Sequence, residues 1–77
     1  LYFINYKAGD TDKAHYHKIA TEYTIVISGE VEMQNKIFTC GDIITIEANI
    51  ENTFKCLKDA TILVIKTPSL TNDKYFI

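Results

Sequence analysis

The sequence predicts an all-β protein built from seven or eight short strands. Segments rich in β-branched and aromatic residues recur at close spacing, and clusters of Gly, Asn, Asp and Lys separate them. No stretch has the 3.6-residue periodicity of an amphipathic helix. Strands at this spacing are typical of a β-sandwich or β-barrel, and their rhythm alone does not separate a jelly roll from an immunoglobulin-like sandwich.

The predicted strands follow the chain from its first residue almost to its end. Their ranges are 1–6, 14–19, 23–28, 31–34, 36–39, 43–47, 53–57 and 60–67. A polar loop around Gly9 separates the first two strands. Asn35 favours the left-handed conformation that a tight hairpin needs. Further turns are predicted at residues 29–30, 40–42 and 58–59.

The composition is that of one small globular domain. Of its 77 residues, 47% are hydrophobic and 23% are charged, which indicates a folded chain. A domain of this size buries only roughly 60% of its unfolded surface, so a metal ion or oligomerisation would add needed stability. We expect a single domain over residues 1–77. The absence of an initiator Met suggests that residues precede Leu1 in a longer polypeptide.

Charge and hydropathy argue against two classes of partner. The net charge of −2 and the pI near 5.5 provide no basic field for nucleic acid. No apolar run is long enough to span a membrane, and we expect no secretory signal. Cys40 and Cys56 lack CxxC spacing and are expected to be unpaired thiols. These features predict a cytoplasmic protein.

The residues between Gly9 and Gly29 carry the most specific chemical pattern. In an extended chain alternate side chains share a face, so His15 and His17 point the same way. The following β-branched segment places Glu22 at the start of the next strand. A His-x-His pair alone is more often two solvated imidazoles. Two imidazoles with one carboxylate, however, form a ligand set that suits zinc, iron, manganese or nickel.

This spacing resembles the first conserved motif of the cupins, Gly-x5-His-x-His-x3,4-Glu-x6-Gly. The five fixed positions are filled by Gly9, His15, His17, Glu22 and Gly29. The resemblance extends over residues 9–68. It implies a cupin-type jelly-roll β-barrel in which the two His and the Glu bind a divalent metal ion. A degenerate cupin that keeps these residues without the ion is the alternative.

The second cupin motif is degenerate in this chain. Its pattern, Gly-x5-Pro-x-Gly-x2-His-x3-Asn, falls on Gly41, Glu47, Asn49, Asn52 and Cys56. Asn49 can replace a turn glycine because Asn adopts the left-handed conformation more readily than most residues. Asn52 stands where the resemblance puts a fourth ligand, a His, and its amide oxygen is a weaker ligand for borderline metals. We therefore expect a metal site of two imidazoles and one carboxylate, with Asn52 beside the ion or bonded to one of its waters.

The resemblance implies a domain that binds a small polar molecule, such as a sugar derivative. Similar small cupins, with stretches like Asp73–Tyr75 near their end, accompany sugar-nucleotide and surface-polysaccharide enzymes of bacteria. A metal-dependent oxygenase or isomerase is one alternative, with Tyr2, Tyr6 or Tyr23 as a candidate acid although no third imidazole is present. A metal-free regulatory or oligomerisation domain of a larger biosynthetic protein is another. An open polar pocket favours the enzyme, and a filled barrel favours the metal-free domain.

The outer face of the predicted sheet is apolar. If Glu22 points inward, alternation also sends Thr24, Val26 and Ser28 inward. The residues left outside are Tyr16, Tyr23, Ile25 and Ile27. A monomer does not normally expose such a face, so we expect a homodimer through a β-sheet face, or cover from a neighbouring domain. The tail, residues 68–77, ends in three apolar residues and packs either on its own barrel or across a partner.

Overall fold

A computed structural model describes all 77 residues, Leu1–Ile77, and consists of β-strands and their connections. The seven strands are β1 (Tyr2–Tyr6), β2 (Thr11–Tyr16), β3 (Thr21–Met33), β4 (Lys36–Thr39), β5 (Ile43–Ile46), β6 (Asn52–Thr67) and β7 (Tyr75–Phe76). All pairings are antiparallel. The structure has no helix of the length and hydropathy that crossing a membrane would need.

The two longest strands, β3 and β6, form the centre of the fold. They pair along almost their whole length, from Thr21 opposite Thr67 to Met33 opposite Phe54. The first half of β3 also pairs with β5 and its second half with β4. The first half of β6 pairs with β2 and its second half with β1. Two layers therefore share the same pair of strands, β1-β6-β3-β5 and β7-β2-β6-β3-β4.

The strands pass from one layer to the other at a bend around Gly29. The register of β3 against β6 shifts three times between Val26 and Val31, and such bulges bend a strand. The turns predicted at residues 29–30 and 58–59 are wrong, because both segments lie inside continuous strands. The predicted inward position of Ser28 is also wrong: the shift in register breaks the alternation, and Ser28 is exposed.

The other boundaries differ at β2 and at the tail. β2 begins three residues earlier than predicted and ends at Tyr16, and backbone bonds between Gly9 or Asp10 and Cys56 extend its ladder. The tail adds a short unpredicted strand, β7, which pairs with β2 of the same chain. Its alignment puts Phe76 opposite His15. Asn35 and Asn49 have the positive φ expected of them, 62° and 68°.

The core lies between the two layers. Ten buried apolar side chains from β3, β5 and β6 form it: Val26, Val31, Met33, Ile44, Ile46, Phe54, Cys56, Ala60, Ile62 and Val64. Along each strand these positions alternate with exposed or half-buried ones, as expected for sheets with one face inward. Cys56 is buried and Cys40 is exposed, and neither forms a disulfide.

Replacing Gly29 by Ala should destabilise the protein more than replacing Gly41 by Ala. Both glycines have positive φ, 84° and 92°, so each alanine costs about 1–2 kcal/mol for a left-handed backbone. A Cβ at Gly29 would also overlap the carbonyl oxygen of Asp59, whereas one at Gly41 meets nothing within 4 Å. Urea denaturation measures the difference. Equal losses would mean that the fold does not need this close approach.

Candidate metal centre

Four buried polar side chains meet at one end of the barrel, where β2 ends and β3 and β6 begin. His15 lies in β2 and His17 just beyond it, Glu22 is the second residue of β3, and Asn52 is the first residue of β6. None of the four is more than 6% exposed. The structure brings one ligand atom each from His15, His17 and Glu22 within 4.8 Å of one another. Tyr16 points away from this cluster and stacks on Tyr75, so the alternation expected for His-x-His is present.

Hydrogen bonds behind the two imidazoles fix which nitrogen of each ring faces the cluster. His15 donates from Nδ1 to the carbonyl oxygen of Lys13 (3.1 Å), and His17 donates from Nδ1 to the carbonyl oxygen of Asp73. Because a carbonyl oxygen only accepts, each Nδ1 carries a proton and each neutral ring presents the lone pair of Nε2 to the site. Such bonds are typical of metal-binding histidines.

The lone pairs converge on the carboxylate of Glu22. His17 Nε2 lies 3.4 Å from Glu22 Oε1 and has no hydrogen-bond partner, although it is fully buried. Two acceptors at this distance repel each other unless a cation or a proton lies between them. Burial lowers the pKa of His15, so this ring is neutral near pH 7 and its Nε2 lone pair is available to an ion. The donor set therefore fits a divalent cation.

Asn52 lies beside the carboxylate. Its Nδ2 donates to Glu22 Oε2 (2.9 Å) and lies 3.5 Å from His15 Nε2, while its Oδ1 is buried without a partner. Rotating the amide by 180° exchanges oxygen and nitrogen without changing the shape of the side chain. In that orientation Oδ1 faces the cluster. Asn52 thus supplies either a hydrogen bond that holds Glu22 or a weak oxygen donor.

The tail supports the cluster through Asp73, a residue that the sequence analysis did not single out as a site residue. Its carboxylate is buried and accepts hydrogen bonds from the backbone N–H groups of Lys18 (2.9 Å), Ile19 (3.0 Å) and Ala20 (2.8 Å). Its carbonyl oxygen orients His17. Burial by itself would raise the pKa of the Asp73 carboxyl, but the three N–H groups and nearby His17 hold it below its ordinary value. No local pattern signals this contact, because Asp73 is remote from its partners along the chain.

A cavity of about 150 Å³ opens above the cluster. One wall is apolar and is formed by Ile4, Met33, Phe54, Ile62 and Val64. The other lining residues carry polar groups: Tyr2, Tyr6, Asp12, His15, Glu22, Thr24, Asn52 and Lys74. The Tyr6 hydroxyl donates to Asp12 Oδ2 (2.8 Å). The barrel is therefore not filled, and its interior offers hydroxyl, carboxylate and ammonium groups to a small molecule.

Architecture and position of the site together define a cupin-type jelly-roll β-barrel, the fold that the sequence predicts. No protein-family model and no curated protein matches the chain. Several solved structures are similar to it. The capsular polysaccharide assembling protein CapF from Staphylococcus aureus aligns with 97% of this chain at a TM-score of 0.77 and 17% identity. KdgF from Halomonas sp. aligns with 87% at a TM-score of 0.73 and 15% identity.

A third similar structure is a proposed sugar phosphate isomerase from Acidithiobacillus ferrooxidans, aligned over 83% of this chain with a TM-score of 0.67 and 21% identity. The chain spans only 25% of CapF, 68% of KdgF and 46% of the third protein. At these identities the similarity establishes the shared fold. All three comparisons are with larger proteins, and two of the names refer to polysaccharide or sugar phosphate.

Replacing Asp73 by Ala should release the loop at residues 18–20 and the tail together. The N–H groups of Lys18, Ile19 and Ala20 lose their acceptor, so their hydrogen exchange should accelerate, as should exchange at Ile77, whose N–H bonds to Ala14. Asp42→Ala is the matched control, because that carboxylate caps only an exposed turn at Thr39 (2.8 Å). Exchange measured by NMR that stays at parent rates in Asp73→Ala would contradict the role of this carboxylate.

Proposed function

We propose that this chain is a divalent-metal-binding jelly-roll domain that holds a small polar ligand, such as a sugar derivative, in the cavity above the metal site. His15, His17 and Glu22 supply the three protein donors, and Asn52 lies beside the ion. The observation that carries the proposal is the buried convergence of two Nε2 lone pairs on one carboxylate. A cation bound by all three relieves their mutual repulsion and satisfies His17 Nε2.

The donor set limits the choice of ion. Imidazole nitrogen with carboxylate oxygen suits zinc, iron, manganese and nickel, and three protein ligands leave coordination positions open. An ion at such a site polarises an oxygen atom bound to it. The carbonyl oxygens of Lys13 and Asp73 orient the two imidazoles. The Asn52 amide and the Thr24 hydroxyl donate to Glu22 Oε2, at 2.9 and 3.4 Å respectively.

A sugar-type ligand is supported by the cavity and by the similar structures. An engineered protein cavity of about 150 Å³ holds a six-membered ring, and this cavity combines one apolar wall with several hydrogen-bonding groups. Two of the similar proteins are named for capsular polysaccharide and for sugar phosphate. We extend this chemistry to the chain as part of the proposal and place it in bacterial carbohydrate metabolism.

Binding is better supported than catalysis by proton transfer. Burial, together with the negative charges of Asp12 and Glu22, raises the pKa of Tyr2, and burial with the Asp12 hydrogen bond raises that of Tyr6. Both hydroxyls are therefore poorer acids near neutral pH than an ordinary tyrosine. The second candidate is a metal-free domain in which a proton takes the place of the ion, so that a His17 imidazolium pairs with Glu22.

Titration with Zn²⁺, Ni²⁺ and Mn²⁺ separates these candidates. At a pH above about 7, where protons in general compete little with metal ions for imidazole nitrogen, the parent protein should bind one ion per chain. His15→Ala should abolish binding, since two ligands do not hold an ion against water. Asn52→His adds an imidazole beside the other donors and should tighten binding by about tenfold, which corresponds to about 1.4 kcal/mol. Isothermal titration calorimetry measures all three proteins.

The control for Asn52→His is Asn35→His, which adds an imidazole to an exposed hairpin turn outside the buried cluster and whose φ of 62° a His also tolerates. It should leave affinity unchanged. If neither the parent nor Asn52→His binds any of the three ions, the metal-free domain becomes the better description. If His15→Ala still binds like the parent, the ion lies elsewhere.

We also propose that a second copy of the chain covers the outer face of the layer β1-β6-β3-β5. Register places Phe3 opposite Leu63, Leu63 opposite Ile25, and Ile25 opposite Ile43, so one apolar residue from each of four strands forms a continuous outer row. Phe3 and Ile43 at its ends are 64% and 62% exposed. Tyr23 and Ile65 form part of the next row. Tyr16 does not belong to this face, because it stacks on Tyr75 in the other layer.

Phe3→Lys and Ile43→Lys should each shift a dimer towards monomer, because an ammonium at either end of the row opposes burial of the roughly 1,000 Å² that a specific interface needs. Ile37→Lys is the control, since Ile37 is 61% exposed on β4, outside the row. Sedimentation velocity at protein concentrations between roughly 10 and 500 μM measures the effect, because this range detects a dimer whose Kd is micromolar. A parent that stays monomeric throughout would refute the dimer.

A further inference from the structure

We infer that the ligand of the cavity carries a carboxylate, and that Lys74 binds it. The inference deepens the proposed function and rests on it for the metal ion. Lys74 lines the mouth of the cavity, on the same lining as His15 and Glu22. Its ammonium forms no ion pair with any carboxylate of the chain, and it lies 5.4 Å from the centre of the Phe76 ring. The lining of the site therefore includes an exposed cation that has no ion-pair partner.

The position of Lys74 is fixed by its neighbours on both sides. Asp73 accepts hydrogen bonds from three backbone N–H groups of the loop after β2, and Tyr75 and Phe76, the two residues after Lys74, pair with β2 as β7. The backbone of Lys74 is therefore held at the mouth, and only its side chain retains freedom. A second ammonium, that of Lys66, lies 5.6 Å from the ring centre of Tyr2, another lining residue.

With a divalent ion bound, the charged groups of the lining sum to one net positive charge. Glu22 offsets one charge of a divalent ion, which leaves one positive charge at the centre, and Lys74 adds another. Asp12 is the only other anionic residue of the lining, and it accepts the hydrogen bond of Tyr6. A ligand with one carboxylate therefore neutralises the cavity, where charges interact more strongly than in water. Its hydroxyl groups can bond to Tyr2, Tyr6 and Asp12.

A phosphate monoester fits the lining less well than a carboxylate. It carries about −1.5 to −2 charges near pH 7, and proteins usually meet it with arginine forks or helix N-termini. All eight cationic residues of the chain are lysines, and the fold has no helix. One lysine and one ion match a single carboxylate.

The test compares acids with their neutral amides on the full chain loaded with Zn²⁺. The probe pairs are glucuronate with glucuronamide and lactate with lactamide, and binding is followed by calorimetry and by chemical shifts of the tail. At least one acid should bind about tenfold more tightly than its amide, the effect of one charged hydrogen bond. Lys74→Met should remove this preference. Lys18→Met, which loses the same charge from a lysine over Tyr75 outside the cavity, should keep it.

Three outcomes overturn the inference: no acid is preferred over its amide, the preference survives in Lys74→Met, or inorganic phosphate and glucose 6-phosphate bind more tightly than both acids. Repeating the comparison without metal separates the two proposals. If the protein does not bind Zn²⁺ but Lys74 still selects the acid, the metal centre fails and the carboxylate site stands. If Zn²⁺ binds and no acid is selected, the carboxylate site alone fails.

Discussion

The pairing of β3 with β6 is the constraint on which the rest of the structure depends. Every other strand except β7 pairs with one of these two, and the two layers exist only because both long strands bend at the same place. Gly29 permits that bend, since any Cβ there would meet the backbone of Asp59 and Ala60. The two layers enclose the core between them and leave the polar cluster at the end of the barrel.

The cluster places four polar side chains in the interior of a chain that buries only 17 of its 77 residues. Imidazoles, a carboxylate and an amide occupy interior positions that apolar side chains would fill at lower cost. The protein offsets that cost with hydrogen bonds from behind the imidazoles, through Lys13 and Asp73, and with the bond that Asn52 donates to Glu22 Oε2. This arrangement still leaves His17 Nε2 buried without a partner, 3.4 Å from Glu22 Oε1.

The sequence was sufficient for most strands and for the inward face of His15 and His17, because these follow from local alternation and turn residues. Alternation gave only an all-β class, and the jelly-roll fold followed from the resemblance to the cupin motif between Gly9 and Gly29. It failed at residues 29–30 and 58–59, where strong turn propensity yields to cross-strand pairing that no local window contains. It also missed Asp73 as a residue that supports the cluster. The hydrogen bonds of Asp73 join the tail to His17 and the loop after β2, and a single sequence carries no signal for bonds between such distant segments.

The arrangement of the strands also determines the order in which they can form. β1 pairs only with β6, with Tyr6 opposite Ala60, and β2 pairs only with β6 and β7. On the ribosome, neither of the first two strands has a partner until the last third of the chain has been made. Only β3, β4 and β5 can associate earlier through near neighbours in sequence. Because β6 is made late, the backbones of β1 and β2 stay unpaired for most of the synthesis. Non-local pairings of this kind also slow folding.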